Sequence, residues 1–349
     1  MKIVTNFPMN KITTLGIGGK AKEFVVVSTE EELIETIKNA RSREIGFLVI
    51  GGGSNLLVSD EGVDKLVIKN EISGITIRNT SDGGPAEGGD SSEVKVKSGT
   101  SLQQLVDFTI SHGLSGMQKL TGIPGTVGGA VYGAAGAYGQ EIIEHLVEVQ
   151  AINPGIIASE DRDFEYLQSE AILKIEKSDR AKQPQIVSLT KEQCGFGYRD
   201  SNFKRNGLII LEATFQLETG NPEDLKKEAD EILEKRLQKY PKGIKCPGSF
   251  FKNIVANTLP EKILKNIPPE KIMYGKIPAG SLLEEVGAKG DSIDGIEIAT
   301  YHANLFINKG GGTCTSFYNL AKKYFLKVKE KYGISLEPEV QLINLPPFK

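Results

Sequence analysis

The chain has 349 residues, with 42 Lys and Arg against 45 Asp and Glu and a formal net charge of -3. This length suits two or three domains of ordinary size. No stretch concentrates basic and aromatic residues, which argues against a nucleic-acid partner. No run approaches the roughly 18 apolar residues of a membrane span, and the first residues lack the apolar core of a signal peptide, so we expect a cytoplasmic protein.

Cysteines and histidines are few and scattered. The cysteines are odd in number and form no C-x-x-C pattern, so neither a disulfide framework nor a zinc site is indicated. A histidine without a nearby partner is more often an ordinary residue than a ligand. We therefore predict free thiols and no metal site. The residues concerned are Cys194, Cys246, Cys314, His112, His145 and His302.

The beginning of the chain is typical of a small α/β unit. A β-prone run at 24–27 precedes Thr29-x-x-Glu32, a capping box that leads apolar residues at helical spacing. A second β-prone run covers 47–50 and ends in a glycine-rich turn at 51–56. The pattern predicts strand, helix, strand and then a tight turn.

The middle of the chain is rich in β-prone runs, at 65–68, 74–77, 94–97, 146–152 and 208–217. Ser101-x-x-Gln104 begins a helix that Gly113 ends. The polar segment 81–92 is predicted as a mobile hairpin loop, and 154–185 is charged and partly helical. Residues 116–139 are too rich in glycine for a stable isolated helix or strand, so we expect a loop wrapped closely around another group.

The last part of the chain begins with Asn221 and Pro222, a good N-cap and first-turn pair for a helix. We place a domain boundary just before it. A later helix carries an apolar stripe between residues 317 and 328 and ends at Gly333. A strand is predicted after it, through 336–341.

The turn Gly51-Gly-Gly-Ser-Asn-Leu follows a hydrophobic strand directly. Glycine lets backbone N–H groups approach a pyrophosphate closely, and Ser54 and Asn55 add donors. A tight turn between strands explains the same residues equally well. The turn is not a dinucleotide-binding fingerprint, because G-x-G-x-x-G requires a small residue where Leu56 stands.

Gly122-Ile-Pro-Gly-Thr-Val-Gly-Gly is a second glycine-rich segment. A hinged structural loop is the alternative, but two such segments in one half of the chain favour a cofactor cradle. A flavin suits this cradle, because it brings a diphosphate for the loops and a flat ring for an adaptable backbone wall. The chain has no G-x-x-x-x-G-K-[ST] sequence, which excludes a phosphate-binding ATPase loop.

Three polar residues stand in short motifs that also have ordinary explanations. Arg199, beside an aromatic residue, is either a surface ion-pair residue or a clamp for a substrate carboxylate. Ser249 follows a glycine and precedes two phenylalanines, which suits a turn, and it does not lie in a hydrolase nucleophile elbow. Glu339 is by default a surface carboxylate. The residues alone leave these alternatives open.

The order of the motifs resembles one family over nearly the whole chain, the UDP-N-acetylenolpyruvoylglucosamine reductases. Seven segments carry the resemblance: Thr13-Thr-Leu-Gly-Ile-Gly-Gly, Gly51-Gly-Gly-Ser-Asn-Leu-Leu, Gly122-Ile-Pro-Gly-Thr-Val-Gly-Gly, Gly136-Ala-Tyr-Gly, Phe196-Gly-Tyr-Arg-Asp-Ser, Gly248-Ser-Phe-Phe-Lys-Asn and Leu336-Glu-Pro-Glu-Val. The resemblance implies an α+β fold. An FAD-binding unit of the vanillyl-alcohol-oxidase (PCMH) type, made of two α+β subdomains at 1–66 and 67–219, is followed by an α+β substrate-binding domain at 220–349.

The resemblance also implies an activity. The family reduces UDP-N-acetylglucosamine enolpyruvate to UDP-N-acetylmuramate for peptidoglycan synthesis, with non-covalently bound FAD and NADPH as reductant. We expect a monomer. A flavin oxidase of the same superfamily and a non-catalytic nucleotide-sugar-binding protein are the alternative hypotheses.

The family's functional residues carry over by motif. Arg199 and Glu339 are implied to stabilise the charge that develops during hydride transfer, and Ser249 to donate the proton. A water chain or Lys252 is expected to activate this serine. The implied FAD-binding residues are Gly51, Gly52, Gly53, Ser54, Asn55, Leu56, Gly122, Ile123, Pro124, Gly125, Thr126, Gly128 and Gly129, and the implied substrate-binding residues are Tyr138, Lys239, Lys252 and Asn253.

The chain departs from the family's usual residues at four positions. Glu usually stands at Gln118, Asn at Ala134, Trp or another bulky residue at Ser281, and Arg at Gln341. None of these positions is one of the three implied catalytic residues, so the predicted activity is retained. Segment 154–185 resembles an insertion relative to the family.

Overall fold

The computed structural model describes residues 2–79, 91–154 and 184–349. The predicted loop at 81–92 and the charged segment 154–185 fall almost wholly outside the described residues. Helices and strands are mixed along the chain, which confirms the predicted α+β class. Two compact units are present: unit 1 comprises Met1–Val4, Glu23–Gly52 and Lys65–Arg236, as far as these are described, and unit 2 comprises Thr5–Lys22, Gly53–Asp64 and Leu237–Lys349.

The first sheet has the strand order β1-β2-β5-β3. Helix α1 follows the second strand and begins at Thr29, whose side chain accepts from the Glu32 N–H as the capping box predicts. Val25, Val27 and Leu33 are among the buried residues of its core. The bounds are Val4–Pro8 for β1, Lys20–Val27 for β2, Phe47–Ile50 for β3, Val63–Asn70 for β5 and Glu30–Ser42 for α1.

The second sheet lies within unit 1 and has the order β12-β11-β13-β7-β6, with β8 also paired to β13. Helix α2 begins at the Ser101 and Gln104 capping box, in which both reciprocal hydrogen bonds form. The β-prone runs predicted for this region are confirmed. The bounds are Ile75–Asn79 for β6, Ser91–Lys97 for β7, Leu114–Ser115 for β8, Leu146–Asn153 for β11, Gln185–Thr190 for β12, Ile209–Thr219 for β13 and Leu102–Ser111 for α2.

The glycine-rich segment contains a helix, α3 (Val127–Tyr132), so the prediction of a loop without helix or strand is wrong there. Tertiary hydrogen bonds compensate for the low helix propensity of glycine: the Val127 N–H donates to the Thr100 carbonyl at 2.9 Å, and the Gly128 N–H to the Ser98 carbonyl at 2.8 Å. A small hairpin of β9 (Gly136–Ala137) and β10 (Gln140–Glu141) follows. Composition alone shows none of these long-range bonds.

Two further helices connect the second sheet to the last part of the chain. A short helix α4 spans Phe203–Asn206. Helix α5 spans Pro222–Lys239, and the Asn221 side chain accepts from the N–H groups of Glu223 and Asp224, as the predicted cap requires.

Unit 2 surrounds an aromatic core in which Phe250, Phe251, Phe306 and Phe317 are fully buried. Its strands are short, and β4 pairs in parallel with β19. The bounds are Leu56–Val58 for β4, Ile254–Val255 for β14, Lys276–Ile277 for β15, Ser292–Ile293 for β16, Ile296–Ile298 for β17, Phe306–Asn308 for β18, Gln341–Ile343 for β19, Glu261–Leu264 for α6, Ala279–Glu285 for α7 and Cys314–Tyr332 for α8.

The end of the chain differs in part from its prediction. Helix α8 ends before Gly333, which has the left-handed conformation expected of a C-cap glycine. The strand predicted at 336–341 is wrong, because β19 begins only at Gln341. Pro338 has no N–H for a ladder, and the Glu339 N–H donates instead to the Phe250 carbonyl at 2.8 Å. Among the described residues, no helix is both long and apolar enough to cross a membrane.

The two adjacent glycines of α3 provide a matched test of its packing. A Cβ on Gly128 would lie 2.7 Å from the Ser98 Cβ and 3.0 Å from its carbonyl oxygen, whereas a Cβ on Gly129 would meet nothing closer than the Thr126 Oγ1 at 3.5 Å. We expect Gly128→Ala to lower the free energy of unfolding by about 1–3 kcal/mol and Gly129→Ala to change it by less than about 1 kcal/mol. Urea denaturation followed by circular dichroism measures both, and equal values for the two variants would contradict the packing.

Candidate active site

The two glycine-rich segments meet through their backbones in unit 1. A Cβ on Gly51 would lie 2.3 Å from the Thr126 Oγ1, and one on Gly52 would lie 3.0 Å from the Gly125 Cα. Any side chain at either position would therefore push the segments apart. The sequence predicted both segments, but only the fold shows that they are in contact.

This junction carries backbone donors that are not used elsewhere in the described part of the chain. Within residues 2–79, 91–154 and 184–349, the N–H groups of Gly51, Gly52 and Gly125 donate no hydrogen bond. Converging backbone N–H groups of glycines form a natural binding site for a phosphate or diphosphate. The junction therefore fits the diphosphate of the FAD that the sequence resemblance implies.

The other predicted FAD-binding residues have varied surroundings. Gly122 has a φ of +70° and its N–H donates to the Gln103 side chain at 2.7 Å. Gly53, Ser54, Asn55 and Leu56 belong to unit 2. A Cβ on Gly53 would lie 2.1 Å from the Ile12 carbonyl oxygen, so this glycine is needed for packing.

The side chain of Asn55 holds a predicted catalytic residue. The Asn55 Nδ2 donates to the Glu339 backbone carbonyl at 3.1 Å, and the Asn55 backbone carbonyl accepts from the Gln341 N–H at 3.0 Å. Asn55 thus fixes the main chain on the C-terminal side of Glu339. Its predicted contact with FAD stays a prediction.

Arg199 lies in unit 1 and has a left-handed backbone, with φ +54°. Its guanidinium donates to the Ala134 carbonyl at 2.8 Å and to the Gly136 carbonyl, and lies 3.4 Å from the Glu141 carboxylate. Only 15% of the side chain is exposed. Arg199 is therefore not the surface residue that its motif alone also allowed, and its orientation is fixed by the turn that precedes the exposed Tyr138.

A cavity of about 340 Å³ in unit 2 brings together three of the predicted residues. Ser249, Lys239 and Asn253 all line it. Other lining residues come from α7 and from the segment 301–304, and they include Ser281, Glu284, Tyr301 and His302. The cavity thus combines hydroxyl, amide, ammonium and imidazole groups in a volume suited to a small-molecule ligand.

The segment that carries Ser249 is held on both sides. Ser249 pairs with Leu305 in an isolated bridge, and the Phe250 N–H donates to the Asn304 carbonyl at 3.0 Å. On the other side, the Phe250 carbonyl accepts from the Glu339 N–H at 2.8 Å. Ser249 and Glu339, 90 positions apart, therefore lie on neighbouring chain segments of unit 2.

Lys252, which was expected to activate Ser249, pairs with Glu337. Its Nζ forms an ion pair with the Glu337 carboxylate at 2.5 Å, and Lys252 is not among the residues that line the cavity. Asn253, by contrast, lines the cavity while its Oδ1 accepts from the Ala279 N–H at 3.1 Å. Among the described residues, no group of three or more His, Cys, Asp or Glu side chains is arranged to hold a metal ion.

Comparison with known proteins agrees with this arrangement. Residues 238–343 match the UDP-N-acetylenolpyruvoylglucosamine reductase C-terminal domain, and residues 21–155 match an FAD binding domain. The UDP-N-acetylenolpyruvoylglucosamine reductase of Solibacter usitatus is 34% identical over 345 residues, covering 99% of this chain and 97% of that protein. The chain belongs to the UDP-N-acetylenolpyruvoylglucosamine reductase family.

Other relatives support the same assignment. The UDP-N-acetylenolpyruvoylglucosamine reductase of Caldanaerobacter subterraneus is 30% identical, with 98% of this chain and 94% of that protein covered. The crystal structure of UDP-N-acetylenolpyruvylglucosamine reductase from Thermus caldophilus superposes with a TM-score of 0.65 at 28% identity, covering 98% of each chain. The predicted family, its FAD-type α+β fold and its oxidoreductase class are confirmed.

Two departures from the family's usual residues have local explanations. The Gln118 side chain accepts from the Gly116 N–H at 2.8 Å and donates to the Glu228 carboxylate at 2.9 Å. A glutamate at 118 would face this carboxylate with like charge, so the amide suits this chain. Ala134 is fully buried with φ +44°, a conformation that alanine adopts only at a cost and that asparagine tolerates better.

Sequence reasoning missed Tyr240, Tyr301 and His302, which gather near Ser249 and Lys239. Tyr240 Oη lies 3.4 Å from Ser249 Oγ, and Tyr301 Oη donates to the Lys239 carbonyl at 3.1 Å. His302 lines the cavity, and its Nδ1 accepts from the Asn304 N–H at 3.2 Å. No motif marked these residues, because their proximity arises from folding.

His302 gives unit 2 a stability that depends on pH. Burial, with a smaller contribution from the Lys239 ammonium, lowers the pKa of His302 from 6.5 to about 4. Between these two values the unfolded chain binds a proton that the folded chain does not, so stability is lost as the pH falls from 6.5 towards 4.

We expect His302→Asn, whose Oδ1 can still accept from the Asn304 N–H, to remove this loss. Between pH 7 and pH 5 the wild type should lose about 1–2 kcal/mol more in the free energy of unfolding than the variant, after allowance for partial solvent exposure. Urea titrations at both pH values measure the difference. The exposed His112→Asn serves as the control and should follow the wild type, whereas a parallel decline in the His302 variant would refute the assignment.

Proposed function

We propose that this chain catalyses the NADPH-dependent, FAD-mediated reduction of UDP-N-acetylglucosamine enolpyruvate to UDP-N-acetylmuramate, for peptidoglycan precursor synthesis in the cytoplasm. The main support for this proposal is the unit 2 cavity, which brings Ser249 beside Lys239 and Asn253. The chain also matches family members over almost its whole length. We propose that it acts as a monomer, without nucleic-acid or membrane partners. The division into domains at 1–66, 67–219 and 220–349 belongs to the same proposal.

FAD is proposed to bind non-covalently. The junction of Gly51, Gly52 and Gly125 supports this assignment, because its unused N–H groups match a diphosphate. No histidine adjoins either glycine-rich segment, so a histidine tether like that of many flavin oxidases has no attachment point there. When bound, FAD supplies hydride transfer, which allows a nicotinamide reductant and an enolpyruvyl substrate to exchange two electrons.

Two of the cavity residues, Lys239 and Asn253, are assigned to the nucleotide part of the substrate. The Lys239 ammonium provides a positive charge for the diphosphate, and the Asn253 side chain provides a hydrogen-bonding group at the cavity wall. Binding energy from this remote part of the substrate orients the enolpyruvyl group. Lys252, whose ammonium forms an ion pair with Glu337, is proposed as a further substrate-binding residue.

The three catalytic roles follow from the chemistry of the double bond. Hydride addition builds negative charge on the carbon that bears the carboxylate and on the carboxylate itself. Arg199, whose guanidinium is held by two backbone carbonyls, is proposed to stabilise this charge through its positive charge and N–H groups. Glu339 serves the enol-like intermediate in protonated or cation-paired form, since a bare carboxylate opposes the charge. Ser249 then gives its hydroxyl proton to that carbon.

Anaerobic stopped-flow spectroscopy tests the role of Ser249. NADPH should bleach the flavin of Ser249→Ala at the wild-type rate, but reoxidation by UDP-N-acetylglucosamine enolpyruvate should slow by about 100-fold or more, because a positioned general acid typically contributes 10²–10⁴-fold. Ser281→Ala removes another hydroxyl from the same cavity, where Ser281 Oγ bonds to the Pro278 carbonyl at 2.8 Å, and is the matched control.

Each other outcome has a distinct meaning. Recovery of Ser249→Ala at the wild-type rate would show that this serine is not the acid. A purified wild-type protein without flavin, or reduced wild-type protein that the enolpyruvate does not reoxidise, would refute the proposed function itself. Flavin that stays with the precipitate after boiling would indicate a covalently tethered oxidase.

A further inference from the structure

Ser249 has a hydrogen-bonding neighbour whose role the proposed reaction leaves unassigned. Tyr240 Oη lies 3.4 Å from Ser249 Oγ, and either hydroxyl can donate. This separation is longer than the usual 2.5–3.0 Å of a hydroxyl pair, as is common for catalytic hydrogen bonds before substrate binds. Tyr240 directly follows Lys239, the last residue of α5, so the end of this helix positions both side chains near Ser249.

The position of Tyr240 is well defined by its surroundings. Its half-buried ring packs against a cluster of buried residues that includes Cys246, Leu305 and Ile307. Leu305 is also the residue that pairs with Ser249, so one small cluster holds both hydroxyl-bearing residues. The Lys239 Nζ lies 5.1 Å from the centre of the Tyr240 ring. A cation at this distance stabilises negative charge on the phenol oxygen.

A serine that has given its proton to carbon must be reprotonated. From the sequence, a water chain or Lys252 is expected to activate this serine, but the Lys252 ammonium forms an ion pair with Glu337. A serine hydroxyl is a far weaker acid than a phenol, whose unperturbed pKa is about 10. Proton transfer from a tyrosine to a serine alkoxide is therefore strongly downhill.

We propose that Tyr240 is the proton relay of Ser249 in the reduction step, an inference that rests on the proposed function. As the hydride from reduced flavin adds to one carbon of the double bond, the Ser249 O–H bond breaks and a C–H bond forms at the other carbon. In the same step the Tyr240 O–H bond breaks, and its proton reforms the serine hydroxyl. Solvent then returns one proton to the phenolate, so the enzyme ends in its starting state.

Tyr301 provides the internal control for this assignment. It lines the same cavity and neighbours the same lysine, but its hydroxyl donates to the Lys239 backbone carbonyl and not to Ser249. Removal of that hydroxyl tests for a general effect of losing a tyrosine oxygen near the cavity. Removal of the Tyr240 hydroxyl tests the relay.

The experiment measures anaerobic reoxidation of NADPH-reduced enzyme by UDP-N-acetylglucosamine enolpyruvate in mixtures of H₂O and D₂O. For Tyr240→Phe we expect normal bleaching by NADPH, which shows an intact fold, and reoxidation slowed by about 10- to 100-fold. In the wild type, a plot of the reoxidation rate against the deuterium fraction of the solvent should be bowed, because two protons are transferred in the step that limits the rate. In Tyr240→Phe this dependence should become linear, and Tyr301→Phe should keep the bowed form at a rate within about twofold of wild type.

Tyr240→His restores a titratable donor and should recover part of the lost rate. Wild-type rates and a bowed dependence in Tyr240→Phe would overturn the relay while leaving the reductase activity intact. Equal losses in Tyr240→Phe and Tyr301→Phe would also overturn it, because they would show a general effect of the cavity hydroxyls. A wild-type enzyme that the enolpyruvate does not reoxidise would overturn both the relay and the proposed function.

Discussion

The arrangement of unit 2 depends on the buried side-chain amide of Asn304. It accepts from the Phe251 N–H at 2.8 Å and donates to the Phe251 carbonyl at 2.7 Å, so both ends of the amide are satisfied with only 2% of the residue exposed. Leaving a buried polar group without a hydrogen-bond partner costs about 1–3 kcal/mol, and these two bonds avoid that penalty. Any displacement of the segment at 249–251 must break these bonds, so Ser249 is held at the cavity wall by its neighbours.

The same segment is fixed from the opposite side by the residues around Glu339. The Glu339 N–H binds the Phe250 carbonyl, and its carbonyl receives the Asn55 side chain. A turn that looks like part of a nucleotide site in sequence therefore also supports a carboxylate near the end of the chain. Both of these contacts are made by the backbone of Glu339. Asn55 thus belongs to the framework of unit 2, whatever it also contributes to FAD.

Unit 1 uses a different constraint, the close approach of two backbones. Thr126 and Gly125 lie so near to Gly51 and Gly52 that no side chain fits at either glycine. Arg199 adds a second fixed point, since two carbonyls and one carboxylate hold its guanidinium. These groups are preorganised before any ligand binds, which is the property that electrostatic stabilisation of a transient charge requires. This preorganisation requires strained backbone conformations, such as the left-handed conformation of Ala134, whose carbonyl accepts from Arg199.

The sequence by itself determined the local features of this protein, because caps, strand periodicity and glycine-rich turns depend on neighbouring residues. Thr29, Ser101, Asn221 and Gly333 end or begin helices as their chemistry predicts. The ordered motifs were also sufficient for the family. Only the tertiary structure decided what depends on distant residues: the helix at 127–132, the late start of β19, the pairing of Lys252 with Glu337 and the approach of Tyr240 to Ser249. Hydrogen bonds and ion pairs between remote segments set each of these, and no local pattern encodes them.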